Sequence, residues 1–353
     1  ALDEYFGADY LNSLPVTEAQ ATRLAKLQGV QDSAWEAAHR NGPPPEVLQA
    51  RRIHQLGEDF ISMMKRTNLA AVGGDWPSFM RDMFDVKNSS RWPRLDQDTV
   101  ERTLSNVNSV LAKSQSETDP KRAQILESTA LQMMRQAAEP KLTNQSQHPT
   151  CTMGSLEYYY WKMFPDEASR VISETLLNNG KFVTADGTGV TLTRSDMTPR
   201  PGTLRVQERY EFNQAPPRSY ASQLFQMMAP NIYWQRQTAT PDGRYAPQGS
   251  IRYRMTATGD ELVQKAPLSL RTRVLSDSPY VSTVNILHDI GEQIGGARTI
   301  PNTIEWGTQF KTRNDFIRKV LTFGGEPVIV AIDHENWLDP TKPAVNTSHA
   351  ITL

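Results

Sequence analysis

The sequence predicts an α+β protein, and three observations carry that prediction. Residues 1 to 140 repeat apolar positions at helical spacing. The character changes after Pro140, where a polar loop over 141 to 150 leads into shorter helical segments and a hairpin pattern. The last part of the chain holds "EPVIVAID" and "SHAITL", short β-branched runs that read as strands.

The segments follow in order. "PEVLQARRIHQLGEDFISMMKR" places Val47, Leu48, Ile53, Leu56, Phe60, Ile61 and Met64 on one helical face. "AAVGGDWPSFMRDMF" is a loop or short helix with aromatics to bury. "DQDTVERTLSNVNSVLAKS" repeats the helical pattern through Val100, Leu104, Val107 and Leu111. In "DPKRAQILESTALQMMRQAAEP", Asp119 is a natural cap, Pro120 suits the first helical position, and Pro140 stops the helix. "CTMGSLEYYYWKMF" reads as a helix ended by Pro165, and "DEASRVISETLLNNG" as a second one closed by Gly180. "KFVTADGTGVTLT" is a hairpin around Asp186-Gly187. From 199 to 250 the chain is rich in Pro, Arg, Gln and Tyr, with one helix at "SYASQLFQMMAPNIYW". "PLSLRTRVL" fits either type. "VSTVNILHDIGEQIGG" and "TRNDFIRKVLTFGG" read as helices.

Composition bounds the function. With 353 residues, 38% hydrophobic and 22% charged, the chain can bury a sizeable core. Its formal net charge of −1 advertises neither nucleic acid nor a membrane surface. No apolar run is long enough for a membrane span. The N-terminus "ALDEYFGADYL" has no basic n-region and no apolar h-region. One cysteine excludes an intramolecular disulfide framework and a multi-cysteine zinc site, no His/Asp/Glu cluster has metal-ligand spacing, and no cofactor is implied.

That cysteine, Cys151, falls where a helix starts, between a polar loop and an aromatic run. A helix N-terminus and a nearby imidazole both favour the thiolate. Met153, Leu156, Tyr159, Tyr160 and Met163 give the helix apolar surface to bury, which would hold the sulfur rigidly. A lone cysteine at a helix start is more often a small buried hydrophobe, so two further residues bear on the choice. Gln145 stands six residues upstream, where its amide could serve a developing oxyanion; the plainer role is a solvated loop glutamine. His349 opens the last strand pattern, a suitable place for a base, though a lone histidine near a terminus is usually a surface residue. His148 lies too close to Cys151 to be the distant base. His39, His54 and His288 sit in helical patterns.

Taken together, Gln145, Cys151 at a helix start, and a distant "SHAITL" resemble the papain-like cysteine peptidase superfamily. The resemblance covers residues 144 to about 164 and 326 to 353. It implies a two-lobed catalytic domain, with a helical lobe carrying the cysteine and a β lobe carrying the histidine. Residues 141 to 353 would form that domain, preceded by a helical N-terminal region over 1 to 140. It implies peptide-bond hydrolysis by Cys151 and His349 with Gln145 in the oxyanion hole, acting on a protein or peptide substrate. Transglutaminase-type acyl transfer and an inactive, partner-binding scaffold are the alternatives.

The Cys-Gly-Ser/Ala-Cys-Trp signature of the cathepsin branch is absent, which points to a bacterial-type branch. Secreted bacterial thiol enzymes often carry no second cysteine, so an extracytoplasmic setting is expected. The separation from Cys151 to His349 exceeds the roughly 130–150 residues of the cathepsin branch, and an insertion around 181 to 265 is expected to account for it. Four residues follow His349 in this sequence, so the orienting Asn or Asp is expected beyond Leu353. Asp333 and Asn336 are the in-chain candidates. Residues 1 to 140 show no convergent titratable set and are expected to restrain or position the catalytic half, the alternative being an ordinary helical domain docked away from the cleft.

Overall fold

In a computed structural model of the protein, the residues described are 97–144, 151–206, 218–256, 260–265, 272–276, 284–305, 313–324, 326–333 and 348–352. All lie in one compact unit spanning 69 to 353. The segments read over 45 to 66 and 70 to 84 lie outside the described residues.

Mixed helix and sheet bear out the α+β class. The elements are α1 (Gln97–Ser116), α2 (Pro120–Ala138), α3 (Cys151–Met163), α4 (Pro165–Leu177), β1 (Lys181–Val183), β2 (Gly189–Thr191), α5 (Tyr220–Trp234), β3 (Ile251–Met255), β4 (Asp260–Lys265), β5 (Thr272–Ser276), α6 (Val284–Gly295), β6 (Thr303–Glu305), α7 (Arg313–Leu321), β7 (Ile329–Asp333) and β8 (Ser348–Thr352).

Local chemistry sets the element ends as the sequence indicates. The Asp119 side chain accepts from the Lys121 amide at the start of α2, with Pro120 in the first turn. Pro165 both prevents α3 from continuing and opens α4. The Ser219 side chain caps α5 by accepting from the Ser222 amide. After α4 the chain turns through left-handed backbone at Asn179 and Gly180, and the Gly180 amide reaches the Thr175 carbonyl at 2.7 Å. A Cβ on Gly180 would meet the Leu192 carbonyl oxygen at 2.8 Å, at φ +88°. Gly180→Ala is therefore expected to destabilise the protein by about 1–3 kcal/mol from backbone strain alone, read as a lowered denaturant midpoint.

The helices form the core. α5 sits at its centre, and every residue in it except Tyr233 is buried. Around it lie α2, α3 and α4, the last tied to α1: Asn106 donates to the Asp166 carbonyl at 3.0 Å and Arg102 to the Asp166 carboxylate at 2.8 Å. Tyr160, Trp161 and Phe225 are completely buried at this junction.

Residues on both sides of Pro140 belong to the same unit. Gln132 of α2 donates to the Thr203 carbonyl and accepts from the Ala221 amide at the start of α5. The stretch from 181 to 265 supplies α5.

Three small sheets are found among the described residues. β1 and β2 form the hairpin around Asp186-Gly187. β3, β4 and β5 form an antiparallel meander, which resolves "PLSLRTRVL" as a strand over Thr272–Ser276. Asn231 of α5 anchors this meander, donating to the Tyr253 carbonyl and accepting from its amide. β6 pairs parallel with β7, and β7 antiparallel with β8. Ile304 of β6, Val328 just before β7 and Val330 of β7 pack with Phe316 of α7. Among the described residues no helix is long and apolar enough to cross a membrane.

Candidate functional site

Cys151 is the first residue of α3 and is half-buried. Its Sγ lies 3.9 Å from the Thr152 hydroxyl. The helix is held firmly behind it, because Met153, Leu156, Tyr159, Tyr160 and Trp161 are all buried, while Met163 is half-buried. The Tyr160 hydroxyl reaches the carbonyls of Gly291 and Thr299, joining α3 to the end of α6. The sulfur therefore stands at the positive end of a rigid helix.

β8, which contains His349, lies directly against this helix. The Ser155 hydroxyl donates to the Ala350 carbonyl at 3.1 Å, and the Thr352 hydroxyl donates to the Ser155 carbonyl at 3.2 Å. Both bonds tie β8 to α3 at Ser155. Ser155→Ala removes one of these two bonds and is expected to cost about 1–3 kcal/mol, since it takes a donor from the buried Ala350 carbonyl; a denaturant titration measures it.

The β7–β8 register pairs His349 with Ile332 and Ser348 with Asp333. The Asp333 backbone therefore lies one ladder position from that of His349. Gln145, His148 and Asn336 lie outside the described residues. His288 is placed elsewhere, its Nε2 2.9 Å from the Thr303 hydroxyl of β6.

Beneath α3 lies a buried polar cluster. Glu157 of α3 accepts from Gln226 Nε2 and the Ser222 hydroxyl at 2.8 Å each, from Trp161 Nε1 at 3.3 Å, and from Gln136 Nε2 at 3.4 Å. Burial pushes its carboxyl up to about 7, although the hydrogen bonds and Arg218 pull the other way. Arg218 is buried too, which draws its guanidinium down, opposed by Asp260, Tyr253 and Glu157. It donates to Gln226 Oε1 at 3.0 Å. Tyr253 donates to Asp260 at 2.8 Å. Burial and Asp260 raise the phenol well above its ordinary value.

None of Glu157, Arg218 or Gln226 stands out as a functional residue on first reading of the sequence. The signal is a carboxylate inside the apolar run "LEYYYW", and polar residues spaced by three or four along the otherwise apolar "SYASQLFQMMAPNIYW". Among the described residues, no three His, Cys, Asp or Glu side chains converge to hold a metal ion. No family model, curated protein or solved structure matches this chain.

Proposed function

We propose that the protein is a papain-like cysteine peptidase, with Cys151 as nucleophile, His349 as general base and Gln145 as oxyanion donor. One observation carries the reading: the helix that begins at the only cysteine is hydrogen-bonded through Ser155 to the strand that contains His349.

In this reading the His349 imidazole takes the Cys151 proton and the thiolate attacks the peptide carbonyl carbon. The carbonyl π pair moves to oxygen, where the Gln145 amide and the Cys151 N–H stabilise it. The tetrahedral intermediate collapses, the C–N bond breaks, and the imidazolium returns its proton to the leaving amine. Water, deprotonated by the same imidazole, attacks the thioester. The acid product leaves and Cys151 regains its proton. The helical segments α1 to α5 would form the lobe that carries the thiol, and the sheet of β6, β7 and β8 would belong to the lobe that presents the base.

The test is to incubate the protein with an unstructured protein substrate and with iodoacetamide near neutral pH. Hydrolysis abolished by one equivalent of label, with Cys151 alkylated much faster than free cysteine, is the expected result. Alkylation no faster than free cysteine, with no hydrolysis, would sink the reading. Adding a primary amine separates hydrolysis from acyl transfer, because a transferase incorporates the amine into the substrate in preference to releasing acid.

A further inference from the structure

The buried cluster under α3 uses three polar side chains where apolar ones would pack. Gln226 is 0% exposed, Glu157 0% and Arg218 2%. Burying an acid and a base together gives little stability by itself, and such groups tend to persist where they specify one arrangement. The arrangement specified here is visible in what Gln226 does with its amide. Its Nε2 donates to Glu157 Oε2 at 2.8 Å and to the Asn144 carbonyl at 3.1 Å. Its Oε1 accepts from Arg218 Nη1 at 3.0 Å. One side chain on the central helix thus holds both the nucleophile's own helix and the backbone at Asn144, where the chain enters the stretch that leads to Cys151.

We propose that Gln226 is a positioning residue for the reaction: it clamps the Asn144 backbone to α3, and so sets the geometry of the chain on the approach to the nucleophile. Glu157 and Arg218 hold the Gln226 amide in the one orientation that allows this. Arg218 on Oε1 forbids the flipped amide, which would bring N–H against N–H, and Glu157 fixes one N–H so that the other points to Asn144. A hydrocarbon of the same length could fill the space but would leave the Asn144 carbonyl without this donor. This rests on the reading of the site as a thiol peptidase, in which Asn144 immediately precedes the oxyanion glutamine. Misplacement of reacting groups by about 1 Å can cost about 10²-fold in rate.

The variant is Gln226→Met in the full 353-residue chain, with two readouts. Hydrogen–deuterium exchange over residues 143 to 151 is expected to rise about tenfold or more, while α2, α4 and the remainder of α5 stay unchanged. Against an unstructured protein substrate, kcat is expected to fall about 10- to 100-fold with KM within about threefold. Exchange over 143 to 151 equal to wild type overturns the proposal, as does a rise spread evenly over α2, α3 and α5, which is what a merely structural residue would give. The exchange readout holds even for a protein that hydrolyses no peptide, so failure of the peptidase reading is told apart from failure of the clamp. If Gln226→Met does not fold, Gln226→Asn takes its place. Its amide is one methylene too short to reach Asn144 and Glu157 together, and the same exchange pattern is expected.

Discussion

Under the peptidase mechanism proposed above, replacing Cys151 with alanine is expected to lower peptide hydrolysis by about 10⁴-fold or more while leaving the fold almost unchanged. The size follows from the chemistry. Without the sulfur no thioester can form, and what remains is the rate that binding and the oxyanion donors alone support. The indifference of the fold follows from position. Cys151 is the first residue of α3 and half-buried, so removing the thiol leaves the helix's apolar face intact and costs about 1 kcal/mol or less. His349→Ala should show a loss of similar order, and the double variant should be no slower than either single one, because nucleophile and base act as a unit. Initial rates of hydrolysis, with a thermal melt on each variant, decide it. A Cys151→Ala protein that keeps more than a tenth of the wild-type rate would remove the thiol from the mechanism.

The second large effect is on stability and concerns Glu157. Its carboxyl titrates at about 7 in the folded protein, against 4.5 for an ordinary glutamate, because burial penalises the charged form. Between those values the folded state holds a proton that the unfolded chain has released. Stability is therefore highest below about pH 4.5 as far as this group is concerned, falls as pH rises through the window, and levels off above about 7. The full change is on the order of 3 kcal/mol. Glu157→Gln has no proton to lose, so the difference between the two proteins isolates the group from every other titration. The expected outcome is that Glu157→Gln gains on wild type by about 5–10 °C in Tm between pH 5 and pH 8. Parallel Tm curves across that range would mean that the four donors and Arg218 keep Glu157 charged throughout.

Much of the fold was legible because its signals are local. Asp119, Pro120 and Pro140 bracket α2 within the sequence itself, Pro165 separates α3 from α4, and Asp186-Gly187 marks the first hairpin. The start of α3 at Cys151 was legible in the same way. The β3–β4 hairpin was not, although Ile251, Tyr253 and Met255 alternate inward, because Arg252 and Arg254 between them make the stretch resemble a polar loop. The central place of α5 was hidden too. Its polar stripe of Ser222, Gln223 and Gln226 suggests a solvated face, whereas all three are completely buried.

By itself, then, the sequence determined the α+β class, the limits of most helices, the strands that end the chain, and a thiol at a helix start. These depend on hydrophobic period, capping and proline geometry, which act over a few residues. Tertiary structure alone decided that β8 lies along α3 through Ser155, that β7 brings the Asp333 backbone beside that of His349, and that Gln226 joins Glu157 to the Asn144 carbonyl. Such pairings join residues far apart in the chain. Which carbonyl a given hydroxyl or amide meets is settled only when every packed face competes at once for the same buried space.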